Sequence, residues 1–194
     1  MQYRNATITD IPNIEELQKH YHVSFIHEEE KKNGFVTTLF TREQLAELIE
    51  QEDGISLACD GEKIAGYAMA GSWSYWSKWP LFQHMIADLP NTEYLGQTLS
   101  TENSYQYGPV CIDMDYRGQG VLQDLFAHST RQMSRRYPIL ITFINHVNTR
   151  SFAAHTKKVG LDVIKDFTFN GNNYYELGYD TARASAGKTT DNPA

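Results

Sequence analysis

The sequence predicts one mixed α/β domain, and three observations carry that reading. Gln106 to Ile112 reads as a strand, the residues up to Gly120 as a glycine-containing turn, and Gly120 to Arg136 as a helix. In that helix Val121, Leu125, Phe126, Thr130 and Met133 recur at roughly a 3.6-residue rhythm. The order then repeats. Pro138 to Ile144 is a nearly continuous apolar run, suited to a strand buried on both faces, and Asn145 to Asn148 turns into a helix through Val159, closed by Gly160. Third, Ile55 to Cys59 and Lys63 to Ala70 flank Asp60-Gly61, a hairpin signal. With 194 residues the chain is long enough for one such domain with a substantial core and short for two.

Composition narrows the function classes. A formal charge of -7 argues against nucleic acid, whose phosphates demand a concentrated basic surface. No run of eighteen apolar residues offers a membrane helix, and Arg4 and Asp10 interrupt any early apolar leader, so a cytoplasmic protein is expected. Cys59 and Cys111 both sit in apolar strand-like runs and read as buried free thiols.

The remaining elements follow in order. Tyr3 to Ile8 is a first strand, and Thr9 or Asp10 caps a helix starting at Ile11-Pro12 with Ile11, Ile14 and Leu17 on one face. His20, His22 and His27 lie near Glu28, Glu29 and Glu30, but their spacing matches no metal signature; a polar loop lining an acceptor side is the expectation, with no metal. Thr41 to Glu50 is a helix with Thr41 and Gln44 as a capping box and Leu45, Leu48 and Ile49 as its apolar stripe. Gly66 and Gly71 mark a bulge or a close backbone approach. Gly71 to Leu99 holds every tryptophan of the chain, Trp73, Trp76 and Trp79, with Tyr75 and Phe82. A substrate groove, a homodimer surface and a plain core insertion all remain open for it. Val163 to Phe169 and Asn173 to Tyr179 are the last strands, giving a domain over 1-180; residues 181-194 turn to small and polar types and read as a tail.

The turn carries the first chemical signal. Gly118 and Gly120 permit torsions other residues resist, and they clear side chains from amides at the start of a helix. That is a recipe for an anion site, with phosphate or pyrophosphate its natural ligand. No Gly-Lys-Ser/Thr follows, so it is not a Walker loop, and the dinucleotide fingerprint is incomplete.

Arg117-Gly118-Gln119-Gly120-Val121 resembles the Arg-Gly-x-Gly loop of the GCN5-related N-acetyltransferase superfamily, with Leu122 replacing the family's last small residue. A second motif agrees: Asn148, Ser151, His155 and Gly160-Leu161 fall at the family's spacings, and Tyr3-Arg4 through Asp10 resembles its opening. The resemblance implies a mostly antiparallel central sheet with a parallel, splayed strand pair and flanking helices. It implies acetyl-CoA as acyl donor, with its pyrophosphate on the amides of Gly118, Gln119, Gly120, Val121 and Leu122. Arg117 or Gln123 would stand beside the phosphates, the backbone of Val110, Cys111 and Ile112 would line the pantetheine wedge, and Asn148 and Ser151 would lie on the coenzyme side. His155 occupies the place of a tyrosine that many relatives keep near the sulfur, so it is the candidate general acid. For the base, Glu102 is the candidate expected to line the acceptor cavity, with Tyr107, Asp113 and Asp115 nearby in sequence. The activity implied is direct transfer of acetyl to a primary amine of a small molecule or peptide. A catalytically weak acyl-CoA-binding module is the alternative, since Leu122 and His155 both depart from the pattern; an unrelated nucleotide-binding α/β enzyme is a second.

Overall fold

The computed structural model describes residues 1–27 and 35–186. Its centre is a seven-stranded sheet in the order β1-β2-β3-β6-β7-β9-β8. The strands are β1 (Gln2–Asn5), β2 (Ile55–Asp60), β3 (Lys63–Gly71), β6 (Ser104–Ile112), β7 (Ile139–Asn145), β8 (Asp162–Phe169) and β9 (Asn172–Asp180). All neighbours are antiparallel except β6 and β7. β4 (Glu93–Tyr94) and β5 (Gln97–Thr98) form a separate small hairpin. The sheet expected from the resemblance is therefore the sheet found.

β1 ends three residues before the expected Ile8. Asp10 accepts from both the Thr7 backbone N–H (2.8 Å) and the Thr7 hydroxyl (2.9 Å), which closes a 3-10 turn over Ile8–Asp10 and ends the strand. Arg4 reaches over the turn to the same carboxylate at 2.7 Å. Helix α1 (Ile11–His20) follows, then α2 (Arg42–Glu52), opened by the expected Thr41–Gln44 capping box. Between them, buried Gln18 ties down Phe40 at both ends: its amide donates to Phe40 O at 2.8 Å and its oxygen accepts from Phe40 N at 3.1 Å. Residues 28–34, including Glu28, Glu29 and Glu30, lie outside the described residues.

Two cores flank the sheet. Ile14, Leu45, Leu48, Tyr67 and Met69 bury α1 and α2, while Val121, Leu125 and Phe126 of α5 (Val121–Met133) pack with Tyr105, Tyr107 and Leu140 on the other face. A third cluster lies under the aromatic insertion, which folds as α3 (Trp73–Trp76) and α4 (Pro80–Asp88). Trp73 is fully buried, with its indole N–H donating to Ser104 Oγ at 3.0 Å. Gly66 sits where a Cβ would lie 2.8 Å from the Cys111 carbonyl, the close approach its position predicted. The chain past Asp180 begins with a short helix, α7 (Ala182–Ala186), where Arg183 pairs with Asp162 at 2.9 Å. The tail expected from residue 181 thus starts as helix, and 187–194 lie outside the described residues.

Candidate active site

β6 and β7 pair only over Ser104–Gln106 and Ile139–Ile141. Beyond Gln106 they part, while β6 stays joined to β3 as far as Ile112. Residues 107–112 therefore have one edge free of a strand partner, facing a wedge. Which groups face it follows from the register. Asp113 N donates to Ala65 O at 2.9 Å, so the Asp113–Ala65 pair is hydrogen-bonded, and so is Cys111 with Tyr67, two residues back. Val110 and Ile112 alternate with these and turn their N–H and C=O groups to the wedge. Arg117 confirms the direction, since its Nε donates to Ile112 O at 2.7 Å. Cys111, expected to offer backbone here, spends it on β3. Its buried thiol lines the cavity, and burial pushes its pKa up to about 12, which favours the protonated thiol.

At the end of β6 the turn leads into α5. Gly118 (φ 83°) and Gly120 (φ 86°) are left-handed, and a Cβ built on either would meet nothing within 4 Å. Torsion, not crowding, requires glycine there, and the space in front of the amides is open. The first intrahelical bond is Asp124 N to Gly120 O at 3.2 Å, so the N–H groups of Val121, Leu122 and Gln123 precede the ladder. A cavity of about 170 Å³ lies against this turn. Arg117, Arg150 and Lys158 line it, and no carboxylate does among the described residues. Helix start, open amides and three cations together fit a polyphosphate-bearing ligand. Leu122 is one wall of this cavity and leaves its amide in place. Gln119, expected at this site, does not line the cavity, and its side-chain amide folds back onto Asp115 O at 2.7 Å.

Helix α6 (Thr149–Lys157) brings the second motif to the wedge. Asn148 is its N-cap, accepting from Ser151 N at 3.2 Å. His155 is 8 % exposed, and its Nδ1 lies 2.8 Å from the Ser151 carbonyl oxygen. A carbonyl only accepts, so Nδ1 carries the proton and the neutral ring presents a bare lone pair at Nε2. Burial lowers the pKa of His155, which keeps the ring neutral. In the neutral ring the other nitrogen, Nε2, is a hydrogen-bond acceptor.

A second cavity, about 490 Å³, opens on the other side of His155. Val110, Asn148, Ser151 and His155 line both cavities. The far walls of the larger one include Trp76, Trp79, Phe82, Phe143 and Tyr174. The insertion therefore divides: Trp73 and Trp76 are fully buried core residues, Trp76 backing the cavity wall, while the partly buried Trp79 and Phe82 line the groove. Phe35 to Thr38 supply another wall, Phe35 and Val36 bordering the smaller cavity as well, while His20, His22 and His27 line neither.

The carboxylates expected near the chemistry are elsewhere. Glu102 is exposed in the turn before β6 and lines neither cavity. From Ser104 to Val110 the strand already covers roughly 20 Å. The Thr101 hydroxyl, 2.7 Å from Glu102, also lowers its pKa, which weakens it as a base. Asp113 is held by Lys63 at 3.0 Å and by the Asp115 amide at 3.0 Å, and Asp115 is exposed on the turn. Sequence reading missed Arg150 and Lys158; the only signal was their place on the helix that carries the Asn148 motif.

No family model matches the chain, and no curated protein matches it. Solved structures do. A putative acetyltransferase from Salmonella typhimurium, solved with its cofactor acetyl-CoA, is 12% identical with a TM-score of 0.62, covering 100% of this chain and 97% of that one. An N-acetyltransferase from Staphylococcus aureus is 15% identical, TM-score 0.60, over 93% and 98%. The ribosomal-protein-alanine N-acetyltransferase from Brucella melitensis is 17% identical, TM-score 0.58, over 93% and 99%. The chain has the fold of these acetyltransferases.

Proposed function

We propose that the protein is an acetyl-CoA-dependent N-acyltransferase that transfers acetyl to a primary amine in a ternary complex. The observation that carries this is the meeting of two chemically different cavities at Val110 and His155: one cationic and beside a helix start, the other neutral and aromatic. Acetyl-CoA would supply the activated thioester. The amides from Gly118 to Leu122, with Arg117, Arg150 and Lys158, would hold its phosphates, and the free edge at Val110 and Ile112 its pantetheine arm.

The chain's own groups then have defined tasks. The Val110 N–H points into the wedge and can donate to an oxygen that gains negative charge there. His155 takes the amine's proton at Nε2, and the same atom can return it to the departing sulfur, because Nδ1 stays engaged with Ser151. No cysteine intermediate is needed; placing amine and thioester together supplies much of the rate. Calorimetry with acetyl-CoA, ATP and NAD tests the first half, and thiol release with an amine panel tests the second. Selective acetyl-CoA binding with amine-dependent thiol release is expected. Equal affinity for the three nucleotides overturns the reading, and acetyl-CoA binding without thiol release reduces it to a binding module.

A further inference from the structure

Arg117 is held in its cavity by a residue that belongs to neither motif. Tyr21 closes helix α1, its N–H donating to Leu17 O at 3.3 Å. It is 6 % exposed, and it lines the same cavity as Arg117, Arg150 and Lys158. Its hydroxyl accepts from Met114 N at 2.7 Å, in the turn that carries β6 toward Gly118, with Asp113 Oδ1 3.4 Å away. That bond joins the end of α1 to the start of the turn and, with burial, fixes the ring there.

The face of this ring is occupied. Arg117 Cζ lies 5.0 Å from the Tyr21 ring centroid, within reach of a cation–π contact. The Arg117 Nε donates to Ile112 O at 2.7 Å. A bond at Nε and a ring against the guanidinium together restrict a side chain otherwise rich in rotamers. The ring also offsets a cost, because burial disfavours the Arg117 charge and neighbouring Arg150 adds repulsion.

Granted the N-acyltransferase reading, we propose that Tyr21 is a positioning residue for the coenzyme. Its ring keeps the Arg117 guanidinium oriented toward the phosphates, and the stack persists when they bind. The effect of Tyr21 on coenzyme affinity therefore runs through Arg117 and depends on the electron-rich ring face. Tyr21 also belongs to the core under α1 and α2. Packing alone would cost stability without any dependence on Arg117.

The test is calorimetry of acetyl-CoA with the full chain, beside thermal melts. Tyr21→Leu is expected to raise Kd about 10-fold, and Tyr21→Phe, which keeps the ring, to recover all but about threefold. Arg117→Ala is expected to weaken binding itself and to remove the effect, so that adding Tyr21→Leu to it changes Kd by less than about twofold. Pentafluorophenylalanine in place of Tyr21 keeps the ring's shape and reverses the charge of its face. Its Kd is expected to be about 5-fold or more above that of Tyr21→Phe, a comparison that holds even if the leucine variant fails to fold. Equal losses with and without Arg117, a phenylalanine variant as weak as the leucine one, or a fluorinated ring that binds as well as phenylalanine each overturn the inference and leave the transferase reading standing. Failure of the parent chain to bind acetyl-CoA overturns that reading itself, and the inference with it.

Discussion

Replacing His155 by phenylalanine separates a base from a packing residue. The substitution nearly keeps ring volume, so contact with Tyr107, whose ring centroid lies 6.2 Å away, survives. It removes the Nε2 lone pair and one hydrogen bond to Ser151 O, a carbonyl at a helical position that retains the backbone as partner. The stability loss expected is about 1 kcal/mol, which in a domain of this size lowers Tm by roughly 2–4 °C. Turnover should fall far more. General base catalysis contributes about 10²–10⁴-fold, so a loss of at least ~10²-fold is expected, or ~2.7 kcal/mol of barrier. The pH profile carries the sign. A base works unprotonated, so parental kcat should fall as pH drops through the pKa of His155, which burial places below 6.5. The assay is thiol release with a weakly basic aromatic amine that is itself neutral across the range. Phenylalanine at 155 should erase that acidic limb and leave acetyl-CoA affinity within about threefold. Parental turnover, or an acidic limb unchanged in the variant, refutes the assignment. Loss of an alkaline limb instead would restore the acid role.

The glycine turn predicts that Gly120→Val costs about 1–2 kcal/mol of stability, since φ of 86° is strained for any side chain, and that calorimetry shows acetyl-CoA affinity lost by more than 10-fold. Glu102→Ala should leave kcat and KM within about twofold of the parent, because the carboxylate lies off both cavities; a 10²-fold loss would return it to the chemistry. The Arg4 guanidinium holds Asp10 at a pKa of about 2 against an ordinary 3.8. Its contribution is therefore present above pH 3.8 and lost as pH falls from there through 2, so Asp10→Asn should flatten the acid side of the stability curve in denaturant titrations.

Most of the framework was legible in the sequence because it rests on period and punctuation. Two apolar strands followed by turns and 3.6-period helices placed α5 and α6, and the Asn148 spacing placed His155. What the sequence hid was direction. Glu102 is close to Val110 in number, yet a strand spends that separation as length. Arg150 and Lys158 join Arg117 only because the splay brings α6 beside the glycine turn. The role of His155 turns on a single distance to Ser151 O, which decides which nitrogen holds the proton. The groove was legible as a cluster of aromatics, but not its split, in which Trp73 faces Ser104 while Trp79 faces the cavity.

Between the Tyr107–Ala70 and Val110–Ala68 pairs, Gly108 and Pro109 stand opposite the single residue Met69. Counting strand positions from Ala70 without that extra residue would set Val110 against Tyr67, a hydrogen-bonding partner, and would spend its N–H on β3. The surplus residue reverses odd and even for the rest of the strand. The donor turned toward the wedge is thus specified by an integer, the number of peptide units between two anchor points, and by no side chain. Point substitutions at Val110 other than proline can reshape the pocket but leave the donor in place. Proline there, an insertion or deletion nearby, or replacement of that one amide by an ester, reaches it. Divergence can therefore erase every recognisable letter along this strand while the arithmetic that presents the amide persists.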